Sequence, residues 1–355
     1  MRHINVLFTA VSGWPTHATV NALRNSNNAE YTIIGVDCHP NVASLNYVDY
    51  LYQVPKCSDE HYIDALIGVC KRHNVNIIVP LISEDITPLW NNAVKLHQLG
   101  IKVLLSGRDS KLLVANDKLL LEEFLLSNGI NVMPKTARLN LSRIDRDLEL
   151  LGYPDKPVAV KLKDGCGAIG FKILDEKKAG NFKGVSSREL RVNPYISKEQ
   201  LLALSESAKG RYLLQEYMPG SELGVLCLVD HGRTVYSLSH ENYDMQYATT
   251  TDCELVNNEQ ANSIVRDVNA LLRLDGNIGY DFKRDAEGRL RLLEINPRIS
   301  ATVSLAVKAG LNIVEMGVFH ALGYDIDENV IPMYGMRMQR VYGTLYTYRG
   351  EPYGS

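Results

Sequence analysis

Three observations predict an α/β chain in two successive parts. Between residues 4 and 112, short apolar strands alternate with amphipathic helices, the pattern of a parallel sheet covered by helices on both faces. Beyond residue 135 the strands follow one another and are broken by glycine turns, which predicts antiparallel hairpins and an α+β unit. Near the end of that unit, Glu294 and Asn296 interrupt an otherwise apolar strand just before Pro297 ends it.

In the first part, Ile4–Thr9 reads as a short strand, residues 15–25 as a helix and Tyr31–Asp37 as a second strand. Residues 60–72 form an amphipathic helix, Asn76–Pro80 a strand, residues 84–98 another helix and Lys102–Ser106 a closing strand. The first turn, Thr9-Ala-Val-Ser-Gly-Trp-Pro-Thr16, holds one glycine where a dinucleotide fingerprint needs three. The reading is therefore a Rossmann-like N-terminal domain, residues 1–108, without its nucleotide fingerprint. Its carboxyl-end loops, Ser12–Thr16 and Ser83-Glu84-Asp85, are expected to face a ligand or a neighbouring domain.

Asp109–Asn116 reads as a linker, followed by a helix over 117–128 that Asn128-Gly129 closes. Two strands, Pro157–Leu162 and Gly170–Leu174, flank a glycine loop, Asp164-Gly-Cys-Gly-Ala-Ile-Gly170. A polar stretch at 175–195 leads to a helix near 197–208 and strands at 211–216, 222–229 and 233–240. A helix over 258–273 precedes a hairpin, a helix covers 312–322, and one or two tyrosine-rich strands fill 335–348. These elements make a second unit over 109–325, with a subdomain at about 135–215, and a C-terminal tail, 326–355, packed near the cleft.

The bulk numbers exclude several classes. A chain of 355 residues with 45% hydrophobic and 22% charged residues has the composition of a globular protein with room for two or three cores. A formal net charge of −3 predicts neither a nucleic-acid nor a membrane partner. Six cysteines without CxxC spacing argue against structural zinc and a disulfide framework, and nine histidines show no HExxH pairing. With no apolar run of transmembrane length, the expected location is the cytoplasm.

The chemistry concentrates in Leu292-Leu-Glu-Ile-Asn-Pro-Arg298. Residues i and i+2 of a strand share a face, so Glu294 and Asn296 project together. Gly279-Tyr-Asp-Phe282 lies on a second apolar strand, and Asp285-Ala-Glu-Gly288 between them reads as a hairpin turn that brings Asp281 near Glu294. Three hard oxygen donors suit Mg²⁺, with Mn²⁺ as a substitute, bridging to phosphates. Gly165, Gly167 and Gly170 let backbone N–H groups approach phosphate oxygens, and Lys161 ends the strand leading into them. Leu213-Leu-Gln-Glu-Tyr-Met-Pro-Gly-Ser-Glu222 reads as a hinge whose backbone can pair with an adenine edge, while Glu222 can accept ribose hydroxyls. Asn116-Asp-Lys-Leu119 opens a helix, where Asp117 serves as a cap whatever else it does.

In this order, Asp117-Lys118 with "NGINVMPKT", "VAVKLKDGCGAIGF", "LLQEYMPGSELGV", "IGYDF", "LLEINPRIS" and "AGLNIVEMGVFHALG" resemble the ATP-grasp superfamily, in its carbamoyl-phosphate-synthase-like branch. The resemblance runs from about Ser106 to Gly323 and implies that the second unit is a two-lobed α+β ATP-grasp domain. It implies Lys118 and Lys161 on ATP phosphates, Gly165–Gly170 as a lid and Glu216, Tyr217 and Met218 at adenine. It further implies Glu222 at ribose, Asp281, Glu294 and Asn296 on Mg²⁺, and Arg298 with Lys161 as the catalytic cations. The branch often carries Gly-Ser-Arg-Gly in the lid; here the run is Gly167-Ala-Ile-Gly170, with Ile169 at the arginine position and Lys163 or Lys172 as candidate replacements. The implied activity is ATP-dependent carboxylate–amine ligation through an acyl phosphate, on small amino-acid-like substrates, in a protein for which a homodimer stays open. The competing expectations are nucleotide binding without turnover and carboxyphosphate formation, and there is no room for the tandem repeat that carbamoyl phosphate synthesis uses.

Overall fold

The computed structural model describes residues 2–13, 15–40, 42–162, 170–179, 194–208, 212–246, 249–341, 347–348 and 351–352. The chain opens with β1 (Arg2–Phe8), whose Ile4, Val6, Leu7 and Phe8 are buried on both faces, as a central parallel strand requires. Then follow α1 (Thr16–Arg24), β2 (Ala29–Asp37), β3 (Tyr50–Gln53), α2 (Tyr62–His73), β4 (Ile77–Val79), α3 (Ile86–Asn91), α4 (Ala93–Gln98) and β5 (Lys102–Val103). The five strands are parallel in the order β3-β2-β1-β4-β5, the doubly wound arrangement expected.

Two details depart from expectation. Strand β3 was not foreseen, because Tyr50-Leu-Tyr-Gln53 is a half-exposed edge strand without a buried apolar run. The helix expected over 84–98 is a 3₁₀ turn, Ser83–Asp85, followed by two short helices. It breaks at Asn92, where the side-chain Nδ2 donates to the Pro88 carbonyl at 2.9 Å and the backbone N–H is shared between Pro88 and Leu89.

The presumed linker carries a helical turn, α5 (Leu112–Ala115), with Leu112 and Ala115 buried. Next come α6 (Lys118–Ser127), β6 (Thr136–Arg138), α7 (Ile144–Leu150), β7 (Val158–Leu162), β8 (Lys172–Leu174), β9 (Tyr195–Ile196), α8 (Lys198–Ala208) and β10 (Tyr212–Glu216). The remainder is β11 (Glu222–Asp230), β12 (Arg233–Gln246), β13 (Thr249–Val256), α9 (Glu259–Leu272), β14 (Gly276–Arg284), β15 (Leu290–Asn296), α10 (Val303–Lys308), α11 (Ile313–Leu322) and β16 (Arg337–Gln339). A final short hairpin pairs β17 (Thr347–Tyr348) with β18 (Glu351–Pro352). The second unit thus has two sheets, β6-β10-β7-β8-β9 and β15-β14-β11-β12-β13-β16. The strand expected over 233–240 runs on to Gln246 as β12, and β13 and α10 were not anticipated.

Strand alternation decides which face of the six-stranded sheet does what. Leu223, Val225, Cys227 and Val229 pack against α9 in one apolar cluster. Leu226, Leu228 and Leu238, on the other face, join Phe8, Val20, Val303 and Val318 in a cluster shared with the first sheet. The two units are therefore fused through one core. Polar ties pin the seam: Glu315 accepts from Tyr31 at 2.6 Å and from Asn28 at 2.8 Å, and Ser106 exchanges two hydrogen bonds with the Asp275 backbone. Among the described residues no helix is long and apolar enough to cross a membrane.

Gly317 on α11 is the tightest point of this packing. A Cβ there would fall 1.8 Å from Oδ1 of the buried Asn277, whose Nδ2 donates to the Ile313 carbonyl. Gly317→Ala gains about 1 kcal/mol of helix propensity but must displace that amide, a strain of roughly 1–3 kcal/mol together with a lost buried hydrogen bond. Thermal denaturation should show a lower Tm for Gly317→Ala, restored in part by a second change, Asn277→Ala. An unaltered Tm would show that the close approach carries no constraint.

Candidate active site

A cavity of about 450 Å³ opens between the two sheets of the second unit and the loops at the carboxyl end of the first sheet. Register places its polar residues in rows. His240, Gly224, Asp281 and Glu294 lie directly across β12, β11, β14 and β15, and Asn242, Glu222 and Lys283 make the adjacent row. Between Asp281 and Phe282 the β14–β15 ladder shifts, since Phe282 faces Leu292 and Leu293 is the extra residue. That bulge keeps Leu292 in the core while Glu294 comes opposite Asp281. The hairpin expectation is met in this detail.

The charges in the first row are closely paired. Lys118 Nζ lies 2.7 Å from Glu294 Oε2, and Asn296 Nδ2 donates to Asp281 at 2.8 Å and to Glu294 at 3.3 Å. Burial opposes ionisation of Glu294, but Lys118 and Lys161 outweigh it and hold the carboxyl low. Burial together with the neighbouring Glu294 carboxylate pushes the Asp281 carboxyl up. Burial disfavours the Lys118 ammonium as well, yet the Glu294 carboxylate more than offsets it and raises its pKa. Lys161 donates to Gln215 Oε1 at 2.7 Å, and burial lowers its ammonium to about 8. Arg298 donates from Nη2 to Asn296 Oδ1 at 3.1 Å and from Nη1 to the Ile299 carbonyl at 2.9 Å.

Local sequence explains these positions. Asp117 caps α6 by accepting from the N–H groups of Leu119 and Leu120, so Lys118 emerges in the first helical turn and enters the cavity instead of the surface. Cap and cavity roles coexist in adjacent residues. Glu216, Tyr217 and Met218 line the cavity where β10 ends, and Glu222 pairs with Lys283 at 2.9 Å across the β11–β14 ladder. Gly170 has φ +74°, and a Cβ on it would lie 2.6 Å from Leu162 Cδ1. Gly165, Gly167, Lys163 and Ile169 lie outside the described residues. Lys172 cannot stand in for a lid arginine: it pairs with Val160 on β8, is buried and is not part of the cavity wall.

The first-sheet loops reach the cavity through Gly13, Pro15 and Ser83. Asp85 does not; it is buried, accepting from Thr9 at 2.6 Å and Tyr62 at 2.9 Å, and so braces the loop. Sequence reading missed Gln215 and Lys283, both polar interruptions on apolar strands. It also missed the chain Ser300–Thr302–His240, with Oγ–Oγ1 3.0 Å and Oγ1–Nε2 3.1 Å. His240 Nδ1 contacts Asn242 Oδ1 at 2.9 Å, and burial lowers the imidazole to about 4, so it is neutral near pH 7. Its ring occupies the space over Gly224, where a Cβ would be 2.4 Å from Cε1.

The donor set fits a hard divalent cation. Two carboxylates face each other in a low-dielectric pocket, where burial and then their mutual repulsion raise the Asp281 carboxyl, and a hard cation between such oxygens would relieve both. Asp281 and Glu294 offer oxygens directly. Asn296 here turns its Nδ2 toward them, while its oxygen is held by Arg298.

Comparisons with known proteins agree with this layout. Residues 209–344 match the family described as "ATP-grasp in the biosynthetic pathway with Ter operon", and residues 10–104 match "PylC-like, N-terminal domain". The carbamoyl phosphate synthase large chain of Thermoplasma acidophilum is 25% identical over 283 residues, which cover 75% of this chain and 25% of that protein. The chain thus spans a quarter of the length of this curated relative. In fold, it is similar to N5-carboxyaminoimidazole synthetase from Staphylococcus aureus complexed with ADP, at TM-score 0.67 and 13% identity over 94% of this chain and 81% of that one. It is also similar to L-amino acid ligase from Bacillus licheniformis, at TM-score 0.64 and 15% identity over 94% and 78%.

The depressed pKa of Lys161 has a direct consequence for anion binding. Below about 8 the group is charged and attracts a polyanion; above it the charge is lost. Tripolyphosphate affinity, measured by calorimetry, should weaken between pH 7 and 9, and Lys161→Arg should flatten that profile because guanidinium stays protonated. A wild-type profile as flat as the variant's would remove Lys161 from the anion site.

Proposed function

For a chain that carries an ATP-grasp domain behind a PylC-like N-terminal domain, we propose an ATP-dependent carboxylate–amine ligase working through an acyl phosphate. The observation that carries this reading is the convergence of Lys118, Lys161, Asp281, Glu294, Asn296 and Arg298 on one cavity.

Adenine lies against the backbone of Glu216–Met218, and Glu222, held by Lys283, accepts the ribose hydroxyls. Lys118 and Lys161 attract the triphosphate as point charges. Asp281 and Glu294, with Asn296, would hold Mg²⁺, which when bound would supply positive charge to neutralise the phosphates. Arg298 stands where a carboxylate substrate approaches and stabilises the negative charge that grows as its oxygen attacks the γ-phosphorus and ADP leaves. An amine then attacks the acyl carbon, and phosphate departs. Both steps require positioning and charge more than a protein nucleophile, in keeping with a site that offers cations and carboxylates. Walls from both units exclude water from the acyl phosphate.

Two variants test the assignment through ADP release and nucleotide binding. Glu294→Gln should lower turnover at saturating Mg²⁺ by about a hundredfold or more, since it removes a ligand charge and the counter-ion of Lys118. Arg298→Ala should leave Mg·ATP affinity within about threefold while kcat falls by roughly 10²–10³, the signature of a charge used in the transition state. Near-normal turnover in Glu294→Gln would overturn the site assignment, and nucleotide binding without any acid-dependent ADP release would leave a binding protein in place of a ligase.

A further inference from the structure

We infer, building on the ligase reading, that the acid substrate has an uncharged body, partly apolar and partly hydroxyl- or amide-bearing, which occupies the chamber beyond Arg298. The cavity is divided by charge. Among its described lining residues, every charged side chain except Arg298 belongs to the lysines and carboxylates at β7, β10, β11, β14, β15 and the start of α6. The rest of the described lining is uncharged. Pro15, Leu81 and Ile82 come from the first sheet's loops, Met245 and Thr250 from the β12–β13 hairpin, and Ser300 and Thr302 from the turn after β15.

His240 adds no charge to this chamber. Both ring nitrogens are engaged, by Asn242 and Thr302, and the buried ring is neutral. Thr302 and Ser300 extend that chain toward the cavity as hydroxyls able to donate or accept. Arg340, on the tail, is spent outside: its Nε donates to the Thr250 carbonyl at 2.8 Å and its Nη2 to the Ala301 carbonyl at 2.6 Å. It thereby ties the hairpin wall to the floor, so the chamber is preformed, with its apolar side facing the first sheet.

A substrate carboxylate finds Arg298 at the chamber's entrance. An ammonium or second carboxylate on the substrate's body would leave water for a wall whose described residues offer no counter-ion, a cost with little to offset it. A neutral body meets apolar contact on one side and hydroxyls on the other. Selectivity then comes as much from rejecting charged acids as from attracting neutral ones.

The experiment uses the full chain with Mg·ATP and hydroxylamine as nucleophile, reading hydroxamate for three probes: 2-hydroxy-4-methylpentanoate, glutarate and 6-aminohexanoate. The expected kcat/KM is at least a hundredfold higher for the neutral-bodied acid than for either charged one. Equal or higher efficiency with glutarate or 6-aminohexanoate overturns the inference. Met245→Glu should shift the ratio of 6-aminohexanoate to 2-hydroxy-4-methylpentanoate at least tenfold toward the cation, and an unmoved ratio shows that the acid's body does not lie there. If no acid gives hydroxamate while Mg·ATP still binds by calorimetry, the ligase reading fails first, and the chamber assignment falls with it.

Discussion

A buried charge cluster governs this molecule: Lys118 and Lys161 on one side of a narrow cavity, Asp281 and Glu294 on the other. Each of these groups loses hydration by facing the pocket, and only close pairing, such as the 2.7 Å contact between Lys118 and Glu294, compensates. The compensation is incomplete by design of the geometry. Burial keeps the Lys161 pKa lowered and, with the Glu294 carboxylate, the Asp281 pKa raised, so both groups are left short of counter-charge. A polyphosphate with its divalent ion is the kind of ligand whose charges complement both.

Holding that cluster requires exact strand register. A one-residue slip in β14–β15 would turn Glu294 away from Asp281 and toward the core, so the bulge beside Asp281 is a constraint on function as well as on packing. Gly224 matters for the same reason: the row that carries Asp281 and Glu294 also carries His240, and only a residue without Cβ lets the imidazole lie across β11. The polar rows are possible because the reverse face of β11, β14 and β15 is largely apolar and packs against α9.

The first sheet contributes differently. It shares a core with the six-stranded sheet through Phe8, Val20, Leu226 and Leu238, so its loops are set rigidly over the cavity. Its own nucleotide-binding potential is cancelled locally. Asp37, at the end of β2 where a ribose-binding acid would stand, has both oxygens taken by the N–H groups of Ser12 and His39, and Asp85 is enclosed by Thr9 and Tyr62. Among the described residues, what reaches the cavity from this domain is uncharged: Gly13, Pro15, Leu81, Ile82 and Ser83.

Local pattern alone determined a good part of this. Strand alternation put Glu294 and Asn296 on one face, the Asp285–Gly288 turn brought Asp281 opposite, and Asp117 marked the start of α6, because each follows from interactions within a few residues. The parallel order of the first sheet followed from its alternating strands and helices. Other features depend on partners distant in sequence. The edge strand β3 exists only because β2 offers it a ladder, and Lys118 enters the cavity only because Glu294, 176 positions later, lies at the end of its reach. His240 is a neutral member of the polar row because β11 and β13 flank the strand that carries it and the ring is buried. Arg340 holds the chamber wall through two carbonyls that no side-chain pattern announces. Short-range periodicity and capping thus specified the elements and the face that carries Asp281, Glu294 and Asn296, whereas packing between remote segments decided which charges are buried, which are paired and what the remaining space can hold.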